Sequence, residues 1–322
     1  MVSDTFRHMR PGSQLLFTGF VVLVTFFILQ LVASLVVVPV FGFERVSGML
    51  SGLDFSDPGT VHMLKYFQIV QSFGLFIVPS LLVAKFFHSS WTFYLCLNKK
   101  PSLRNTYRVI ILVIIINPFI NFMGDINANM HFPPWLSEVE QWMRNAEDAA
   151  EKLVRVFLDV KSVWGLLFNL FMIAVLPALG EELLFRGIIQ KLFTKITQNA
   201  HWGIWISAAL FSALHMQFYG FIPRMLLGAM FGYLLVWSGS LWLPILAHFI
   251  NNAGAVILIY LIGKGSLNPK VEEFGTGTEG WHYALISLAI GVVILMVVRQ
   301  QNKEILPEQE AVTTPINSPK SE

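Results

Sequence analysis

The chain has 322 residues, of which 55% are hydrophobic and only 13% are charged, too few charged side chains to cover a soluble globule of this length. A formal net charge of +2, without a run of basic residues interleaved with aromatics, argues against a nucleic-acid partner. The single cysteine, Cys96, excludes an intramolecular disulfide and a cysteine-based metal site. The composition therefore predicts a chain that is solvated by membrane lipid.

Apolar stretches recur along the chain at lengths near the roughly 17 to 25 residues that cross a bilayer as one helix. They predict an all-α, polytopic helix bundle in the cell membrane, with about eight transmembrane helices. The third and sixth stretches are short and need flanking residues to span. The stretches run over 15–41, 66–87, 109–122, 163–179, 202–218, 225–237, 241–262 and 283–298.

Basic residues cluster in alternate loops, which by the positive-inside rule predicts that both termini are cytoplasmic. The opposite side carries a long acidic loop, in which 136–157 has the apolar periodicity of a helix lying on the outer surface. The basic residues in question are Arg7, Arg10, Lys85, Lys99, Lys100, Arg104, Arg186, Lys191, Lys195, Arg299 and Lys303.

The distribution of motifs divides the chain into four parts. Residues 1–160 contain the first membrane helices and the outer amphipathic loop, and residues 161–262 contain the residues that carry chemistry. A final loop and membrane helix occupy 263–301. The polar segment 302–322 has three prolines and no apolar periodicity, which predicts a disordered cytoplasmic tail.

The segment 174–187 places two adjacent carboxylates and an arginine inside an apolar helix. Ionisable side chains at that depth cost roughly 2.5 to 3.5 kcal/mol each, and they usually persist where they pair or line a wet, functional cavity. Glu182 and Arg186 are four residues apart and share a helix face, which predicts a supporting ion pair. Glu181 lies about 100° further round the helix and lacks that partner. It is therefore the candidate general base, whereas a pair that only fixes helix packing is the alternative for Glu182 and Arg186.

Two histidines also fall inside predicted spans, on helices other than that of the glutamates. His215 and His248 would bring three helices together on one cavity, which we expect to open to the cytoplasmic side. Asn252 is four residues after His248, so its carboxamide and the imidazole can point at a single oxygen. Taken singly, each histidine is equally explained as a buried side chain hydrogen-bonded to a neighbouring helix.

In these residues the chain resembles the CAAX-protease and bacteriocin-processing family of intramembrane proteases, which includes the type II CAAX prenyl endopeptidases and the Abi proteins. The resemblance covers roughly 164–260, and nothing specific precedes it. It rests on three motifs in the family's order on successive apolar segments: Glu181-Glu182-x-x-x-Arg186, Phe211-x-x-x-His215 and His248-x-x-x-Asn252.

The resemblance implies an endopeptidase that hydrolyses a peptide bond of a membrane-associated or lipidated peptide or protein. It implies that Glu181 and His215 activate a water molecule, and that His248 and Asn252 stabilise the oxyanion. These are the parts that amide hydrolysis needs when no covalent nucleophile takes part. Glu181, His215 and His248 could instead ligate zinc. Because the chain lacks an H-E-x-x-H pattern, we favour a mechanism without a cofactor.

Several functions remain open from the sequence alone. The substrate could be a prenylated CAAX protein, a bacteriocin precursor, a leader peptide or another membrane protein. A transporter could use the same buried charges as an ion relay. A non-catalytic immunity or scaffold protein could keep the fold and bind a partner.

Overall fold

The computed structural model describes residues 6–51 and 54–303. These residues form helices joined by turns, with no β-strand among them, which confirms the predicted all-α class. Most of the predicted cytoplasmic tail, residues 304–322, lies outside the described residues.

The helices alternate between long apolar segments and shorter connecting ones. Long helices such as α1 and α5 expose many apolar side chains, as expected of surfaces that face lipid acyl chains rather than water. The helices are α1 (Pro11–Phe41), α2 (Phe43–Ser51), α3 (Pro58–Phe87), α4 (Trp91–Tyr94), α5 (Leu103–Ala128), α6 (Ser137–Leu158), α7 (Val163–Thr197), α8 (Ala200–Ala213), α9 (Phe221–Ser238), α10 (Trp242–Gly263) and α11 (Gly277–Lys303).

Among the described residues, seven helices are long and apolar enough to cross a membrane, where the sequence predicted about eight. The exception is the predicted span 202–218, which forms the 14-residue helix α8. A helix of this length rises about 21 Å, less than a hydrocarbon core of about 30 Å. The chain reverses after α8 at Met216, whose φ is +55°, and a single 3₁₀ turn, Phe218–Gly220, leads into α9.

The two ends of the bundle carry opposite charge. One end of the bundle is where the turn before α10 meets the loop after α4, and we call it the basic end. The two segments are joined there by the Leu241 amide, which donates to the Cys96 carbonyl over 3.0 Å. The N-terminal segment is at this end as well, because Phe6 packs on Phe86. The opposite, acidic end carries α6 and the loops that flank it. Every Asp and Glu in the described ranges other than Glu181 and Glu182 lies at the acidic end or in its loops.

Helix α7 is not a regular α-helix throughout. Two π-helical stretches interrupt it, Leu170–Val175 and Phe185–Ile189. Pro177 follows the first stretch, and a proline has no backbone N–H to donate to the carbonyl four residues earlier. Gly180 allows close approach of α3, because a Cβ there would lie 2.8 Å from Cβ of Phe76. The irregular part of α7 therefore coincides with the segment that bears the two glutamates.

Candidate active site

A cavity of about 440 Å³ lies between α7, α8, α9 and α10 near the middle of the bundle. All four residues predicted to act in catalysis line it. Its polar wall residues are Gln68, Glu181, His215, Arg224, His248, Asn251 and Asn252.

The cavity extends to the acidic end of the bundle and not, as the sequence suggested, to the end with the basic loops and the termini. Leu153, Val154 and Phe157 of α6 form part of its wall. Toward the basic end, the space beneath the glutamates is filled by fully buried apolar side chains, among them Ile188 and Leu241. Among the described residues, the cavity is therefore bordered by α6 on one side and by packed apolar side chains on the other.

Helix α6 is held over the cavity by a buried lysine. The ammonium group of Lys65, on α3, donates to the Phe157 carbonyl over 2.9 Å and to Oδ1 of Asn169 over 3.0 Å. Asn169 also donates to the Phe157 carbonyl over 2.7 Å. Near the middle of α6, the carboxylate of Glu147 accepts from the backbone amide of Tyr219 over 3.0 Å. The acidic loop is therefore part of the site's architecture.

Glu182 and Arg186 together join three helices. Its Oε1 accepts from Nη1 of Arg186 over 2.8 Å, which is the predicted ion pair, and from Nδ1 of His248 over 2.9 Å. Nη2 of Arg186 donates in turn to the carbonyl of Gly228 on α9 over 3.0 Å. Glu182 and Arg186 are both fully buried. The pair therefore fixes the helix arrangement and at the same time orients His248.

His248 presents its second nitrogen to Glu181. Nε2 of His248 lies 3.8 Å from Oε2 of Glu181, beyond hydrogen-bonding distance. The ring stacks on Phe231 with centroids 5.3 Å apart, and Phe211 meets it edge-on at 6.0 Å. Because three contacts define the ring plane, the imidazole can turn little, and its free edge faces the carboxylate of Glu181.

His215 sits on another part of the cavity wall. Its Nδ1 lies 2.8 Å from the carbonyl of Phe211, and since a carbonyl only accepts, that nitrogen carries the proton. Nε2 is then an acceptor in the neutral ring, suited to hold a water molecule by one of its hydrogens. The structure does not pair His215 with Glu181 in an ion pair. The imidazole close to Glu181 is that of His248.

Asn252 is bound to the irregular stretch of α7. Its Nδ2 donates over 3.1 Å to the carbonyl of Ile173, the carbonyl to which Pro177 has no N–H to donate. Asn251 donates to Oδ1 of Asn252 over 3.2 Å. One N–H of Asn252 thus completes the hydrogen bonding of α7, and the other remains for a group in the cavity.

The three proposed zinc ligands do not form a zinc site in this arrangement. Zinc requires ligand atoms about 2.0 to 2.3 Å from one centre, and no group of three His, Cys, Asp or Glu side chains in 6–51 and 54–303 converges in that way. Nε2 of His248 lies 3.8 Å from Oε2 of Glu181, and His215 forms no ion pair with Glu181 among the described residues.

Sequence reasoning missed Arg224 and the contribution of α6. Arg224 is a charged residue at the start of an apolar helix, and this feature alone would have identified it as a candidate functional residue. The predicted sixth span began one residue later, at Met225, and so excluded it. Nothing in the sequence pattern of 136–157 indicates that its apolar face would line the cavity.

Residues 163–254 match the family model described as type II CAAX prenyl endopeptidase Rce1-like. An uncharacterized Bacillus subtilis (strain 168) protein, YpbD, is 32% identical over 89 residues, which are 26% of this chain and 42% of YpbD. An uncharacterized 24.3 kDa protein of Escherichia coli is 33% identical over 100 residues, which are 30% of this chain and 46% of that protein. The chain thus matches less than half the length of either relative. No solved structure matches it.

Proposed function

We propose that the chain hydrolyses a peptide bond of a membrane-associated substrate with a water molecule activated by Glu181. The match of residues 163–254 to the model of the Rce1-like type II CAAX prenyl endopeptidases supports a CAAX-type intramembrane protease. The seven long apolar helices among the described residues are those of an integral, multi-pass membrane protein. The observation that carries the finer proposal is that Glu181, His215, His248 and Asn252, from three segments of the chain, line one cavity.

Glu181 takes the proton from the attacking water. Its carboxylate is 8% exposed and makes no hydrogen bond to another described residue, so an oxygen is available to the water. Nε2 of His215 accepts a hydrogen bond from the other hydrogen of this water molecule. This contact orients the lone pair of the water oxygen that attacks the peptide carbonyl. This retains the roles expected from the family motifs.

His248 and Asn252 face the oxygen that gains charge when water attacks. Glu182 holds a proton on Nδ1 of His248, and a second proton on Nε2 makes the ring a cationic donor. The carboxylates of Glu181 and Glu182 both lie beside the ring and supply the counter-charge for this imidazolium. The 3.8 Å between Glu181 and His248 leaves room for the two oxygens of one tetrahedral carbon, each contacting one of these residues.

The substrate class follows from the surroundings of the cavity. The cavity wall includes apolar side chains of α6, α7 and α9, such as Leu153, Met172 and Leu227. Such a wall suits a peptide delivered from the membrane, lipidated or itself apolar, better than a freely soluble one. A CAAX-type prenylated protein, a bacteriocin precursor and a leader peptide all meet this requirement.

The proposal is tested by cleavage of a fluorogenic, isoprenylated peptide by the purified full chain in lipid nanodiscs. We expect Glu181→Gln and His215→Ala each to lower kcat by about 10²- to 10⁴-fold, the range of a lost general base. The matched control is Glu273→Gln, an exposed glutamate in the loop between α10 and α11, which should leave kcat unchanged.

Equal turnover by wild type and both variants would refute the mechanism. Addition of a chelator should leave the rate unchanged, and inactivation that zinc reverses would replace the metal-free step with a metal-bound water. If no peptide is cleaved while the protein carries a solute flux that Glu181→Gln abolishes, the ion-relay alternative is correct.

A further inference from the structure

Arg224, at the start of α9, is a charged residue on the wall of the catalytic cavity that the proposed mechanism does not use. Its side chain is half-buried and lines the same cavity as Glu181 and His215. No carboxylate of the described residues forms an ion pair with it. This contrasts with Arg186, which is neutralised by Glu182 at 2.8 Å.

The guanidinium is positioned by the preceding turn. Nη1 donates to the carbonyl of Gln217 over 3.3 Å, and Nη2 donates to Oε1 of the same residue over 2.9 Å. Gly220 leaves room for the group, because a Cβ there would lie 2.9 Å from Nη2. Of the five N–H groups of an arginine, two are used by Gln217, and the others have no partner among the residues that the structure describes.

Two carboxylates lie within electrostatic range of Arg224 without pairing with it. They are Glu147 on α6 and Glu181 on α7. Glu147 is occupied by the backbone amide of Tyr219, and Glu181 is reserved for the water in the proposed mechanism. Arg224 therefore lies between the reacting centre and the α6 side of the cavity, with hydrogen-bond donors to spare.

We propose that Arg224 binds a carboxylate of the peptide substrate and thereby sets the distance between that carboxylate and the bond that is cleaved. The proposal rests on the peptidase function. A guanidinium presents paired donors that match the two oxygens of a carboxylate. In a cavity walled by apolar side chains, such a pair is little screened by water and discriminates strongly against a neutral group.

A peptide offers this carboxylate in two places, at its C-terminus or on an aspartate or glutamate side chain. If the C-terminus is the source, the enzyme removes a short C-terminal fragment, because Arg224 lines the same cavity as Glu181. If a side chain is the source, cleavage is internal and follows an acidic residue at fixed spacing.

The test compares three fluorogenic, isoprenylated peptides of one sequence: the free acid, its C-terminal amide, and the amide with one glutamate in the segment after the scissile bond. For the wild type, kcat/KM should be about 10- to 100-fold higher with the free acid or the glutamate peptide than with the neutral amide. This is the difference expected because the neutral amide cannot form the charge-assisted hydrogen bond to Arg224. Arg224→Gln should remove this preference by slowing only the carboxylate-bearing peptide, mainly through KM. Arg224→Lys should recover part of it.

Two control variants separate binding from folding. Gln217→Ala removes the contact that positions the guanidinium and keeps its charge, so it should reduce the preference less than Arg224→Gln. Arg155→Gln removes an exposed arginine of α6 outside this cavity and should change nothing. If Arg224→Gln slows all three peptides equally, Arg224 only holds the turn and the proposal is wrong.

Comparison of wild type with Glu181→Gln on the same peptides separates carboxylate binding by Arg224 from the peptidase activity itself. If wild type cleaves the acid and the amide equally while Glu181→Gln cleaves neither, the peptidase proposal stands and the carboxylate proposal falls. If wild type cleaves none of the peptides and Glu181→Gln behaves identically, both fall.

Discussion

At the scale of single residues, two adjacent glutamates have separate tasks because of what surrounds each. Glu182 accepts from Arg186 and His248 in a fully buried position, so its charge is compensated by protein groups. Glu181, one residue earlier, lines the cavity, and no described protein group lies within hydrogen-bonding distance of its carboxylate. The first arrangement holds helices together, and the second leaves a base available.

This difference predicts effects on stability of very different size. Arg186→Met leaves Glu182 buried without its guanidinium and should lower the free energy of unfolding by about 3 to 5 kcal/mol. Glu181→Gln removes no hydrogen bond seen among the described side chains and should change stability far less. Both are measured by unfolding of the purified protein in a detergent titration.

The double variant Glu182→Met/Arg186→Met is the control for lost packing. Because an apolar pair of similar volume leaves no uncompensated charge, it should recover much of the stability lost by Arg186→Met alone. A double variant as unstable as the single one would mean that the charges themselves are not responsible.

At the scale of helices, the break in α7 explains why an asparagine of α10 is required there. Pro177 provides no donor for the carbonyl of Ile173, and Nδ2 of Asn252 takes that place. The same asparagine is assigned to the oxyanion in the proposed mechanism. The two tasks can be separated. The hydrogen bond to Ile173 is needed because Pro177 has no N–H, whereas the proposed contact with the oxyanion does not depend on Pro177.

We predict that Asn252→Ala lowers both kcat and the free energy of unfolding, the latter by about 1 to 3 kcal/mol because a buried carbonyl loses its donor. Adding Pro177→Ala supplies a backbone N–H in α7 and should restore much of the stability. It should not restore kcat. Recovery of activity together with stability would show that Asn252 acts only through the structure of α7.

At the scale of the whole molecule, charge and cavity are arranged along one axis. The described acidic residues outside the site lie at the α6 end, whereas the loop after α4 and the end of α7 carry lysines and arginines. By the positive-inside rule we expect the basic end to face the cytoplasm. We therefore predict that the cavity, whose wall includes α6, faces the opposite side of the membrane.

This orientation is tested with single cysteines in a Cys96→Ser background. Gln141→Cys, on α6, should react with a membrane-impermeant maleimide in intact cells, and Lys100→Cys, in the loop after α4, should react only after permeabilisation. The reverse labelling pattern would put the cavity on the cytoplasmic side and would show that the loop charges do not set the topology of this chain.

The sequence by itself determined the lipid environment and the helical class, and it predicted the residues suited to hydrolysis, because hydropathy and charge inside an apolar helix are local properties. It also determined the pairing of Glu182 with Arg186, since a spacing of four residues sets their geometry within one helix. Only the tertiary structure decided that His248, and not His215, lies next to Glu181, that Arg224 belongs to the cavity, and that α6 covers it at the acidic end. Those relations join segments far apart in the chain, and they depend on helix rotation and packing depth, which no local pattern of residues encodes.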